Sequence, residues 1–146
     1  KAQSVEIFEP NKDILPKLVN NVGKFKNCVI HQTALGDRPD RVSMECADHS
    51  GTYHVTGQDG DIEMKTLDSF AFDSVDIIKI DAEGYELPVL QGAKKTISRN
   101  KPWIQIEGNK SGERYGRTKV DIKDFLVDLG MTRVTKKWPD QVWTFR

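Results

Sequence analysis

The sequence predicts an α/β fold built on a mostly parallel sheet and closed by an antiparallel hairpin. Three observations carry that expectation. Between Val75 and Glu107 an apolar run, an amphipathic run and a second apolar run follow one another, the pattern of strand, crossover helix and strand. A shorter unit of the same kind spans Val5 to Gln32. Two β-prone runs, Thr132–Thr135 and Gln141–Phe145, end the chain around Trp138-Pro139-Asp140. Alternating strands and helices imply parallel pairing with helices on both faces, and a final hairpin adds an antiparallel strand.

Each element has its own reason. Val5–Glu9 reads as a strand stopped by Pro10-Asn11. In the helix expected from about Lys12 to Asn21, Ile14, Leu15, Leu18 and Val22 share one face. Pro16 is tolerable there only in the first turn, and Gly23 marks the end. Cys28–Gln32 is the next strand, and Gly36–Asp40 a turn cluster. Arg41–Cys46 has strand character, but His49–Gly51 and Gly57–Asp61 read as loops. Residues 41–65 are therefore expected to form an irregular extension or lid. Thr66–Phe70 looks like a short helix leading into the strand at Val75. After Gly84, one helix is expected to bury Leu87, Leu90, Ala93 and Ile97. It stops at Asn100-Lys101-Pro102, because a residue before proline resists helical geometry. Trp103–Glu107 is the paired strand, and Gly108 to Arg117 a polar loop. Val120–Leu129 is a helix with Ile122, Phe125, Leu126 and Leu129 inward, ended by Gly130.

The bulk numbers exclude several classes. A chain of 146 residues suits one domain. Its 22 basic and 22 acidic residues balance, so no global field points to nucleic acid or an anionic membrane. No apolar run approaches the roughly 20 residues needed to span a bilayer. Cys28 and Cys46 are too few for a disulfide framework, so a cytoplasmic setting without a secretory leader is expected. Cys46, His49 and His54 fit no standard zinc spacing, so no metal ligands are assigned, and the sequence leaves open whether a strand-end carboxylate helps to hold a divalent cation.

The chemistry gathers where the strand after Val75 hands over to its helix, through Asp81-Ala82-Glu83-Gly84. In open parallel sheets, ligands bind at the carboxyl ends of the strands. Asp81 and Glu83 are thus candidate catalytic carboxylates, although Asp81 could instead cap the helix and Glu83 enrich its first turn. Lys79 shares a strand face with Asp81. It is expected to be buried and paired with Asp81 or Glu107, or else to snorkel to solvent. Glu107 ends the neighbouring strand and would face the same crevice as a substrate contact. Asn109 and the loop beyond it would form one wall of an acceptor pocket.

Phe8-Glu-Pro-Asn11, Thr66-Leu-Asp68, Ile78-Lys-Ile-Asp-Ala-Glu-Gly84 and Val89-Leu-Gln-Gly-Ala93 together resemble the FkbM family of S-adenosylmethionine-dependent methyltransferases. The resemblance runs from Val5 across nearly the whole chain. It implies a Rossmann-like methyltransferase sheet and an O-methyltransferase acting on a hydroxyl of a sugar or other small metabolite. Glu9, with Pro10 and Asn11 beside it, would hold the cofactor ribose, and Thr33-Ala34 would flank the adenine. Asp81 would favour the sulfonium charge and, with Glu83 and Lys79, serve the chemistry. The family's first strand and glycine-rich loop should precede Val5, where only Lys1–Ser4 stand. The sequence is therefore expected to be N-terminally incomplete, its sheet lacking the usual first strand. The alternative from another class is a non-catalytic α/β binding module that has lost cofactor binding with that loop.

Overall fold

Three sheets and four helices make up the described part of the computed structural model, which covers residues 2–47, 52–107, 113, 115–116, 119–135 and 140–146. The first sheet pairs β1 (Val5–Phe8) with β2 (Cys28–His31) in parallel, joined by α1 (Leu15–Val22). Pro16 does fall in the first turn of α1. The apolar stripe of α1 stays half covered: none of its residues is fully buried, and Val19 is exposed.

The second sheet corrects the expectation for residues 41–65. They form no irregular lid. β3 (Ala34–Leu35), β4 (Asp40–Ala47), β5 (Thr52–Gln58) and β6 (Ile62–Lys65) make a four-stranded sheet in the order β3-β6-β4-β5. Ala34, Val42 and Met64 give it a small core of its own, against which Val55 and Ile62 pack. Alternation of apolar residues along each strand places them on that side. Gly57, expected in a loop, lies within β5.

The third sheet holds β7 (Ile77–Ile80), β8 (Trp103–Glu107), β9 (Met131–Arg133) and β10 (Asp140–Phe145), ordered β7-β8-β10-β9. β7 and β8 are parallel, and β10 runs antiparallel to both of its neighbours. The closing hairpin is therefore present, although Trp138-Pro139 lies outside the described residues. The sheets are mixed rather than mostly parallel: among the described residues, parallel pairing is confined to β1–β2, β3–β6 and β7–β8. Among the described residues, β1 and β7 each pair along one edge only.

The single helix expected after Gly84 is two, α2 (Glu86–Gln91) and α3 (Lys94–Asn100). The break has a long-range cause. The Asp68 carboxylate accepts from the backbone N–H of Lys95 at 3.0 Å and of Thr96 at 2.7 Å, capping α3 from the 3-10 turn Leu67–Phe70. Gly92 is needed at the junction, since a Cβ there would overlap the Gly36 carbonyl oxygen. α2, α3 and α4 (Lys119–Asp128) bury Leu90, Ile97 and Leu126 with Ile80, Ile104, Ile106 and Trp143. Each such aliphatic side chain contributes about 2 kcal/mol on burial. The opposite face of β7–β8 is open: Ile77 is 71% and its register partner Trp103 49% exposed. The expectation of helices on both faces of this sheet is corrected accordingly.

Candidate functional site

Asp81 follows the last residue of β7, and Glu107 is the last residue of β8. The parallel register aligns Ile80 with Ile106, so one further step sets Asp81 beside Glu107, and strand alternation points both to one face. The chain then turns back. Glu83 has φ 50° and Gly84 φ 101°, and the turn closes through the Tyr85 N–H donating to the Ala82 carbonyl at 3.0 Å. A left-handed conformation at a non-glycine residue costs of order 1 kcal/mol. This turn brings the Glu83 carboxylate back, and donor oxygens of Asp81, Glu83 and Glu107 all lie within 4.8 Å of one another.

A residue that sequence reasoning missed holds the turn. Glu86, 2% exposed, accepts through Oε1 from the N–H of Gly84 at 2.9 Å and of Ala82 at 3.3 Å. In the sequence it passes for an ordinary first-turn acid. Its one local signal is a glycine two residues earlier, which frees a backbone N–H to be received. Asp81 does not cap α2, which has no side-chain cap.

Three converging carboxylates repel one another, and the site relieves this in two ways. Lys79 Nζ donates to Asp81 Oδ2 at 3.2 Å. The Lys79 side chain is exposed rather than buried, because the open sheet face leaves it in water. Glu107 is pushed toward its protonated form. Its hydrogen bond to Asp81, then desolvation, then the charges of Asp81, Glu83 and Asp140 push its pKa up to about 7. Burial works to raise Asp81 as well, but hydrogen bonds from Glu107 and Lys79, with the lysine charge, outweigh it and hold Asp81 below the usual range. Protonation of either carboxyl therefore alters the other. The three oxygen donors are also spaced closely enough to share one cation.

Glu9 stands outside this cluster. Its Oε1 accepts from the Asn11 N–H at 2.8 Å. Asn11 is 5% exposed; its Oδ1 accepts from the Asp13 N–H, while its buried Nδ2 finds no acceptor among the described residues. A buried, unpaired donor is costly unless a ligand receives it. Pro10 lies between the two, half-buried. Thr33 and Ala34 serve the second sheet. The Thr33 hydroxyl donates to the Glu63 carbonyl at 2.8 Å, and Ala34 pairs with Met64 and belongs to the small core. Asn109 lies outside the described residues. No helix among the described residues is long and apolar enough to cross a membrane.

Comparison with known proteins follows the same direction. A family model described as the methyltransferase FkbM domain matches residues 2–131. The crystal structure of a methyltransferase FkbM from Methylobacillus flagellatus KT superposes with a TM-score of 0.66 at 18% identity. The match covers 98% of this chain and 36% of that one, so the chain spans about a third of that relative's length. At this identity the likeness is one of fold. The search of curated proteins returned no match.

Proposed function

Because this chain belongs to the FkbM methyltransferase family, we propose that its site serves S-adenosylmethionine-dependent transfer of a methyl group to a hydroxyl of a sugar or other small metabolite. The observation that carries the reading is the convergence of Asp81, Glu83 and Glu107, whose carboxylate oxygens lie within 4.8 Å of one another. When bound, the cofactor supplies a methyl carbon on a positively charged sulfur.

The chain's own residues answer what that reaction requires. Attack by the acceptor oxygen forms a C–O bond, breaks the S–C bond and leaves a proton to be taken up. Deprotonated Glu107, or Asp81 beside it, receives that proton. Asp81 is the weaker base, held ionised by Lys79, and it orients the hydroxyl. Glu83 adds negative charge where positive charge must be tolerated. At the other strand end, Glu9 Oε2 offers an acceptor and Asn11 Nδ2 a buried donor. That donor and acceptor suit the adjacent hydroxyls of a ribose.

Calorimetric titration of the chain with S-adenosylhomocysteine tests the reading. Binding is expected, and Glu9→Ala should weaken it by about tenfold or more through a lost charged hydrogen bond. No heat with the wild-type chain would overturn it.

A further inference from the structure

A shallow cleft of about 180 Å³ opens between β4–β5 and the turn after β7. Val42 and Val55 give it apolar surface, Tyr85 and Tyr115 an aromatic wall, and Arg38 and Asp40 its charges. Tyr85 lies four residues beyond Asp81, directly after the tight turn described above, so the cleft adjoins the carboxylate turn. Its ring meets that of Tyr115 edge-on, with centroids 5.2 Å apart. The Tyr115 hydroxyl donates to the Val55 carbonyl at 2.8 Å, which ties this wall to β5.

The β5 side carries two features that the fold alone does not require. The β4–β5 ladder slips between Ser43 and Met44. Ser43 pairs with Gly57 and Met44 with Val55, leaving Thr56 as the extra residue. Such bulges re-aim side chains and recur beside functional sites, and Thr56 lines the cleft. Gly57 lines it too. Its φ is not among the left-handed ones, and a Cβ there would meet nothing within 4 Å. Neither backbone conformation nor crowding calls for glycine, while strand stability argues against it. What the missing side chain provides is space in the cleft.

We propose that this cleft is the acceptor site, and that Gly57 leaves room in it for a neutral, polyhydroxylated ring. This rests on the methyl-transfer reading. The aliphatic and aromatic surfaces suit the C–H face of such a ring. Arg38, paired to Asp40 at 3.5 Å and Asp37 at 3.4 Å, offers donors beside fixed acceptors, and Thr56 adds a hydroxyl. Arg38 with Asp37 and Asp40 carries a net negative charge, which disfavours a phosphorylated ligand.

Saturation-transfer NMR on the chain, with methyl glucoside, methyl mannoside, methyl rhamnoside and glucose 6-phosphate as probes, tests the site without needing turnover. At least one neutral glycoside is expected to bind, and the phosphate to bind less well. Gly57→Val fills the space with a residue favoured in strands, so it should keep the melting temperature and weaken glycoside binding by about tenfold or more. Arg38→Ala, at an exposed position, should weaken it about tenfold. Both variants should bind S-adenosylhomocysteine as the wild type does. Glycoside binding unchanged in both variants, or absent in the wild type, overturns the cleft. Glycoside binding that is sensitive to Gly57→Val in a chain with no affinity for S-adenosylhomocysteine upholds the cleft and overturns the transfer reading instead.

Discussion

The side chains of Glu107 and Asp81 meet in a hydrogen bond across the parallel strands β7 and β8. Neither residue is adjacent in sequence, and only the register of the two strands puts them side by side. The pair concentrates the site's acid–base chemistry in one hydrogen bond, so its disruption should be visible by several independent measurements.

Asp81→Asn keeps the shape and removes the charge. Methyl transfer by the active enzyme should fall by about 10²-fold or more, as for loss of a general acid–base group. The same change should drop the Glu107 pKa toward that of an ordinary glutamate, because its main cause is gone. Carbonyl-carbon NMR titration of Glu107 reads the second effect. An unmoved Glu107 titration would show that the two groups do not share a proton.

Stability should depend on pH in two windows of opposite sign. Glu107 has its pKa raised from 4.5 to about 7 on folding. The folded chain then binds more protons than the unfolded one between those values, so this contribution is lost as pH rises toward 7. Asp81 is lowered from 3.8, so its contribution is present above that value and lost on acidification through the folded pKa. The melting-temperature difference between wild type and Glu107→Gln should shrink steadily from pH 4.5 to 7.5. A difference that grows over that range would reverse the assignment.

Glu86→Ala should lower stability by about 2 kcal/mol, since it strands the Ala82 and Gly84 N–H groups without an acceptor. Turnover should fall as well, because the turn no longer presents Glu83. Glu86→Gln keeps one carbonyl acceptor and should recover part of both. Equal losses in the two variants would assign Glu86 a charge role rather than a positioning one.

Glu83→Gly relieves the left-handed backbone at φ 50°. Stability should rise by up to about 1 kcal/mol while transfer activity falls. Chemical denaturation and an activity assay on the same preparation measure both signs.

Gly92→Ala places a methyl against the Gly36 carbonyl and should cost about 2 kcal/mol by overpacking. Thermal unfolding compared with Gly57→Ala, where the added methyl meets nothing, isolates the crowding.

The β7–β8 unit was readable in the sequence because its signals are local. Ile78 and Ile80 alternate, Ile104 and Ile106 answer them, and Leu90 and Ile97 keep helical spacing. Asp81 and Glu107 were readable as strand ends. The second sheet was readable only at Arg41–Cys46, which falls within β4, because apolar residues are sparse elsewhere and Gly57, inside β5, imitates loop composition. The α2–α3 break escaped notice because its cap, Asp68, lies 27 residues before Lys95. Lys79 pairs with Asp81 as expected, but its burial was not readable: strand alternation gives its face, and only the packing of α2, α3 and α4 on the other side shows which face stays wet. Glu86 looked ordinary because burial, rather than residue type, turns it into a clasp.

Tyr85 packs against both hydrophobic clusters, the large one beneath β7–β8 and the small one of the second sheet. It is therefore a mechanical junction. A molecule pressing on its ring from the cleft pushes on the same short segment that aims Glu83. Occupancy on one flank and the spacing of the acids on the other should rise and fall together.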